Sequence, residues 1–79
     1  NYILMENPVS EQIRLKLNPS LFFSNALISI YNTSGQLILT KKIQNPSGII
    51  TINHYLKPGI YLLNIVDDYY NYHKKMIVN

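Results

Sequence analysis

Seventy-nine residues with no cysteine, and seven Lys and Arg against four Asp and Glu for a net charge of +3, bound what this chain can be. The length suits one domain, near the size at which a core is just large enough to fold alone, and no disulfide or thiolate metal site can staple it. The mild positive charge is scattered in pairs instead of a stripe, which argues against nucleic acid as a partner, and no apolar run approaches the ~18–20 residues of a membrane span.

The N-terminus lacks the basic, apolar and small-residue order of a signal peptide, and Asn1 opens directly into a strand-like run, so residues 1–79 read as a single domain cut from a longer protein. Tyr2-Ile3-Leu4-Met5 is that first run, stopped by Glu6-Asn7-Pro8 because proline lacks an amide hydrogen and pushes its predecessor out of helix. From Glu11 to Leu17 apolar residues alternate strictly, Ile13, Leu15 and Leu17 against Gln12, Arg14 and Lys16, which predicts a half-buried strand. Asn18-Pro19-Ser20 breaks it. A third strand runs from Ala26 to Asn32 with Ala26, Ile28 and Ile30 inward; Thr33-Ser34-Gly35 forms a hairpin loop, and Gln36 to Lys42 returns as the fourth.

Asn45-Pro46-Ser47-Gly48 is the next turn cluster, before a fifth strand at Ile49 to Asn53. Pro58-Gly59 then forms a turn in which proline presets one backbone angle, and Gly59 is expected to take the left-handed conformation of a type II turn. The sixth strand, Ile60 to Val66, carries Tyr61, Leu63 and Ile65 on one face. Its other face holds Ile60, Leu62 and Val66, relieved only by Asn64. A strand wet on one side should be more polar there. Two readings stay open: a mid-sheet strand partly covered by neighbouring loops, or a docking face for a partner. Asp67 through Asn71 reads as a polar, tyrosine-rich loop, and Lys74 to Val78 as the closing strand. With about seven short strands and no helical periodicity, the fold class is all-β, an Ig-like antiparallel sandwich.

No constellation suggests catalysis. Ser10, Ser20 and Ser34 lie in turn clusters outside any nucleophile elbow, and Glu6, Glu11, Asp67 and Asp68 flank loops in polar settings. His54 and His73 sit on different elements without a ligand set, and read as surface or edge residues. Asp67-Asp68 lacks calcium-loop spacing and reads as a turn. Neither a catalytic residue, a cofactor nor a metal is therefore expected. Asn32-Thr33-Ser34 fits the glycosylation pattern but more simply supplies turn residues. Tyr69, Tyr70 and Tyr72 are an aromatic cluster able to stack on sugar or bury in a partner, and equally ordinary hairpin residues. Lys41-Lys42 and Lys74-Lys75 read as lysines that protect edge strands from unwanted pairing.

Four groups of residues in fixed order nevertheless resemble one family. Asn7-Pro8-Val9-Ser10 precedes the alternating Ile13 to Leu17; Ile28 to Asn32 leads through Gly35 into Gln36-Leu37. Leu56-Lys57-Pro58-Gly59-Ile60-Tyr61 forms a Leu-x-x-Gly-x-Tyr signature, and Lys74-Lys75-Met76-Ile77-Val78 closes the chain with basic, then apolar residues. In this order they are similar to the C-terminal sorting domains of the type IX secretion system (the Por secretion system sorting domain, type A). Glu6 stands where that family often has proline, and the stretch from Asp67 to His73 lacks the glycine common there.

The resemblance implies an Ig-like sandwich at the C-terminus of an exported cargo of Bacteroidota. It further implies a non-catalytic secretion signal, recognised by an outer-membrane translocon, a shuttle protein and a cell-surface sortase. The cargo is then carried through the periplasm and across the outer membrane, to be secreted or held at the cell surface. Such an address needs no lipid anchor, and a terminal strand with free backbone groups suits recognition by strand addition. Asn7, Pro8, Gly35, Leu56, Pro58, Gly59, Tyr61, Lys74, Lys75, Met76, Ile77 and Val78 are the sorting-motif residues by this resemblance. A homodimer is left open, as are an adhesive or carbohydrate-binding module and a structural spacer of a surface protein.

Overall fold

Ile13 and Leu15 are fully buried while Gln12, Arg14 and Lys16 face solvent, so the strict alternation of that strand translates directly into an inner and an outer face. The structure, a computed structural model, describes residues 2–17, 25–44, 48–68 and 70–79. Its strands are β1 (Tyr2–Leu4), β2 (Gln12–Leu17), β3 (Asn25–Asn32), β4 (Leu37–Gln44), β5 (Ile49–Asn53), β6 (Gly59–Asp67) and β7 (Asn71–Val78). All seven expected strands are present. The expected turns at Asn18-Pro19-Ser20 and Asn45-Pro46-Ser47 lie outside the described residues, as does Tyr69.

Two antiparallel sheets form, one in the order β1-β2-β5 and one in the order β4-β3-β6-β7. Their inner faces meet through cross-strand apolar pairs, Ile13 opposite Ile52 and Leu15 opposite Ile50 in the first. In the second, Ile28 lies opposite Ile65 and Ile30 opposite Leu63. With Tyr2, Val9, Ala26, Met76 and Val78 these side chains make one core, the two-layer solution that hides one face of each sheet. Ala26, Ile28 and Ile30 are inward, as their alternation predicts.

The hairpin between β3 and β4 is held by one side chain. Asn32 Oδ1 accepts from the amides of Ser34 (3.0 Å) and Gln36 (2.9 Å), and its Nδ2 donates to Gln36 Oε1 (2.9 Å). Gly35 sits at φ +83°, a conformation that a Cβ resists, so glycine is required there. Asn32 is thus a turn-builder.

Three expectations need correction. Gly59 does not adopt a positive φ: among the described glycines only Gly35 and Gly48 do. Gly59 instead opens β6 opposite Val78, so the sheet ladder overrides the turn preference of Pro-Gly. The tyrosine-rich loop is shorter than expected at both ends, because Asp67 still belongs to β6 and the closing strand already begins at Asn71, ahead of Lys74. His54 is buried, not a surface residue. Its Nδ1 accepts from Leu56 N (3.1 Å), which leaves the proton on Nε2 to be donated to the Ser10 carbonyl. That latch ties the loop after β5 to the approach to β2.

Candidate functional site

β3 ends where β6 begins, since Asn32 pairs with Tyr61, and β7 ends beside the start of β6, since Val78 pairs with Gly59. The Gly35 hairpin, the Leu56–Tyr61 signature and the C-terminal strand therefore meet at one end of the four-stranded sheet. Tyr2 lies at the other end, donating its hydroxyl to Asp67 Oδ2 at 2.6 Å.

Asn7 joins this corner from the far end of the sequence. After β1 the chain crosses to the open side of β7, where Asn7 Nδ2 donates to the Lys75 carbonyl and Asn7 Oδ1 accepts from Ile77 N, both at 3.0 Å. One side-chain amide thus imitates a neighbouring strand's peptide group. Past a cis Asn7–Pro8 bond, Val9 makes a parallel bridge to Val78. Val9 N donates to Ile77 O (2.6 Å) and Asn79 N to Val9 O (3.0 Å). Val9 is fully buried. It was not among the sequence-based site residues, although its apolar side chain directly follows the Asn-Pro pair.

The signature loop closes the same corner. Leu56 packs half-buried against the core. The Tyr61 hydroxyl folds back to donate to the Lys57 carbonyl at 2.7 Å. Its ring lies over Gly59, where an added Cβ would stand 3.8 Å from Tyr61 Cε2. Pro58 faces solvent at the turn. In β7, Met76 and Val78 enter the core while Lys74, Lys75 and Ile77 stay exposed. Leu63 faces Lys74, so this lysine shares the inner-face register at the sheet edge. Lys41, opposite Ile28 on β4, does the same at the other edge. Charges placed so obstruct added strands. Over residues 75–79 the outer edge of β7 is already occupied by Asn7 and Val9, so the terminal strand does not offer there the free backbone groups that strand addition needs.

The aromatic cluster separates. Tyr72 turns inward onto Tyr2, with ring centroids 5.7 Å apart and planes at 52°. Tyr70 remains exposed, and its amide donates to Asp67 Oδ1 (2.6 Å) to close the β6–β7 turn. Burial raises the Tyr2 hydroxyl pKa above the usual tyrosine range, helped by its hydrogen bond to Asp67 and by that carboxylate's charge. Burial alone raises Tyr72.

On the outer face of the four-stranded sheet Leu27 (45% exposed), Ile60 (48%), Leu62 (43%), Val66 (40%) and Ile77 (39%) are partly exposed, and β6 lies mid-sheet between β3 and β7. Among the described residues no group of three or more His, Asp or Glu side chains is placed to hold a metal ion, and no helix is long and apolar enough to cross a membrane.

Residues 7–79 match the family described as the secretion system C-terminal sorting domain. Among solved structures the chain is similar to dimeric latent PorU from Porphyromonas gingivalis, with 25% identity and a TM-score of 0.68. The similarity covers 98% of this chain but only 9% of that one. No curated protein matches the chain.

Proposed function

The chain belongs to the family of type IX secretion system C-terminal sorting domains, and from that premise we propose that it is the address by which an N-terminal cargo is exported across the outer membrane. In this reading the domain is non-catalytic. The outer-membrane translocon, the shuttle protein and the cell-surface sortase recognise it, and the cargo ends secreted or at the cell surface. The supporting observation is the convergence of the motif residues: Asn7 reaches Lys75 and Ile77 across 68 and 70 positions of sequence, beside the Gly59–Val78 pair. A cargo attached before Tyr2 enters at the Asp67 end and leaves the motif end facing away from itself. The inward turn of Tyr72 removes one member of the aromatic platform on which a carbohydrate-binding reading would rest.

The test is a fluorescent reporter carrying a signal peptide and residues 1–79 at its C-terminus, expressed in a bacterium that has this secretion system. Reporter at the surface or in the medium is expected, and periplasmic retention in the same strain without the translocon. Retention in both strains would sink the proposal. The PorU structure is of a dimer, so a second copy of this chain competes for any exposed face; sedimentation equilibrium of the domain reads that directly.

A further inference from the structure

Along β5 the inward side chains are Ile50 and Ile52, and the same period of two places His54, buried, where the strand has just ended. Its backbone amide still reaches Glu11 O (3.5 Å), one step past the Gln12–Asn53 pair. A buried ring needs partners for both nitrogens, and here both partners are loop backbone. Nε2 donates to the Ser10 carbonyl across 44 positions of sequence, and Nδ1 accepts from Leu56 N at 3.1 Å. Ser10 closes the Asn7–Ser10 segment, which Asn7 and Val9 fix to β7. Leu56 opens the signature that runs to Tyr61. One imidazole thus joins two of the motif segments.

A single protonation state makes that join. The Leu56 N–H can only donate, so Nδ1 must keep its lone pair, and the Ser10 carbonyl can only accept, so Nε2 must carry the proton. A further proton would enter at Nδ1 and set N–H against N–H. Imidazole is the side chain whose charge ordinarily changes between about pH 5 and 8. Resting on the sorting role above, we propose that His54 is the positioning residue that holds the Leu56–Tyr61 signature against the Asn7–Ser10 segment. It does so only while neutral, so acid loosens this part of the sorting signal.

The charged and titratable groups around it are few. Glu11 lies across the ladder with its side chain exposed, Lys57 follows Leu56, and the Tyr61 hydroxyl is spent on the Lys57 carbonyl. On the opposite sheet, Lys41 and Lys74 share the inward register at its two edges, and Asp67 stands with Tyr2 and Tyr72 at the far end. Glu11 favours a charged imidazole and the lysines oppose one. None of these groups supplies Leu56 N with the acceptor that a protonated Nδ1 withdraws, so they set the pH of release and not its direction.

Two variants separate the ends of the link. His54→Asn places an oxygen where Nδ1 was, which keeps an acceptor for Leu56 N at every pH and drops Ser10. His54→Gln places an amide where Nε2 was, which keeps the donor to Ser10 and drops Leu56 N. Ring nitrogen shifts of the purified domain report protonation of His54, with exposed His73 as the internal comparison, and hydrogen exchange reports the Leu56 amide. In the parent, Leu56 protection relative to an unstructured amide should fall by up to about tenfold, the scale of one hydrogen bond, in step with ring protonation. In His54→Asn it should stay level. In the export assay above both variants, shown by thermal melts to be folded, should fall by a similar factor, and His73→Asn should match the parent. A ring that protonates while Leu56 keeps its protection overturns the proposal, as does a ring still neutral at about pH 5; both are read on the parent, whatever the variants do. Either folded His54 variant exported like the parent overturns the positioning role. If the parent reporter is not exported, the sorting role fails and the positioning role with it, and the titration of the purified domain separates that failure from a failure of the latch.

Discussion

Replacing Asn7 with alanine removes two hydrogen bonds that fasten the crossing segment to β7, one to the Lys75 carbonyl and one from Ile77 N, each 3.0 Å long. A typical intramolecular hydrogen bond contributes about 0.5–1.5 kcal/mol net. Because Asn7 is exposed, water can partly replace both partners, which keeps the loss at roughly 1–3 kcal/mol. Val9 stays attached through its own backbone bonds to Ile77 and Asn79, so the segment should loosen without detaching. A domain of this size has a total stability of roughly 4–12 kcal/mol, and each kcal/mol moves the melting temperature by about 4–8 °C. Asn7→Ala is therefore expected to melt some ~5–20 °C lower. Asn7→Asp separates the two bonds. It keeps an acceptor for Ile77 N, loses the donor to Lys75 and sets an oxygen against an oxygen. Its loss should be at least half that of alanine. Thermal melts and urea midpoints give the magnitudes, and amide exchange at Ile77 locates the effect. If Asn7→Ala melts within about 2 °C of the parent, Asn7 is not the clasp described here.

Gly35→Ala should cost about 1–2 kcal/mol from backbone strain alone, since nothing lies within 4 Å of an added Cβ. Gly59→Ala should change stability by less than about 0.5 kcal/mol; urea midpoints that rank the two the other way would contradict the assigned backbone angles. Leu15→Ala, at a fully buried position, should cost about 2–5 kcal/mol, while Tyr70→Ala should be nearly neutral in the same melts. Folded Tyr2 and Tyr72 hold their protons above the usual tyrosine pKa of 10.0, so the stability tied to them is complete below pH 10 and drains away as pH rises further. Denaturant midpoints that stay flat well above pH 10 would refute that linkage. Alanine at both Lys74 and Lys75 should leave the melt within about 0.5 kcal/mol of the parent yet reduce export of the fused reporter; unchanged export would leave the lysines as edge protection only.

Much of this molecule follows from short-range patterns. Period-two alternation at Ile13 and Leu15, or at Ala26, Ile28 and Ile30, assigns inner and outer faces wherever a strand is paired, because successive side chains point to opposite sides. Turn residues bound the strands through their own backbone limits, and Asn32 with Gly35 needs no distant partner to close its hairpin. The ordered motifs that identify the family are equally a property of the chain alone.

What packing decided lies beyond any local window. That β6 sits between β3 and β7, and that Asn7 finds Lys75, depends on which edges remain open after both sheets assemble. Gly59 shows the competition directly: its neighbours favour a type II turn, but the ladder opposite Val78 is longer and sets the angle. The exposed outer side of β6 has the same origin. Ile60, Leu62 and Val66 are visible in the sequence, but whether a loop covers them depends on where the connections run, and that path is set by the whole core rather than by the strand itself.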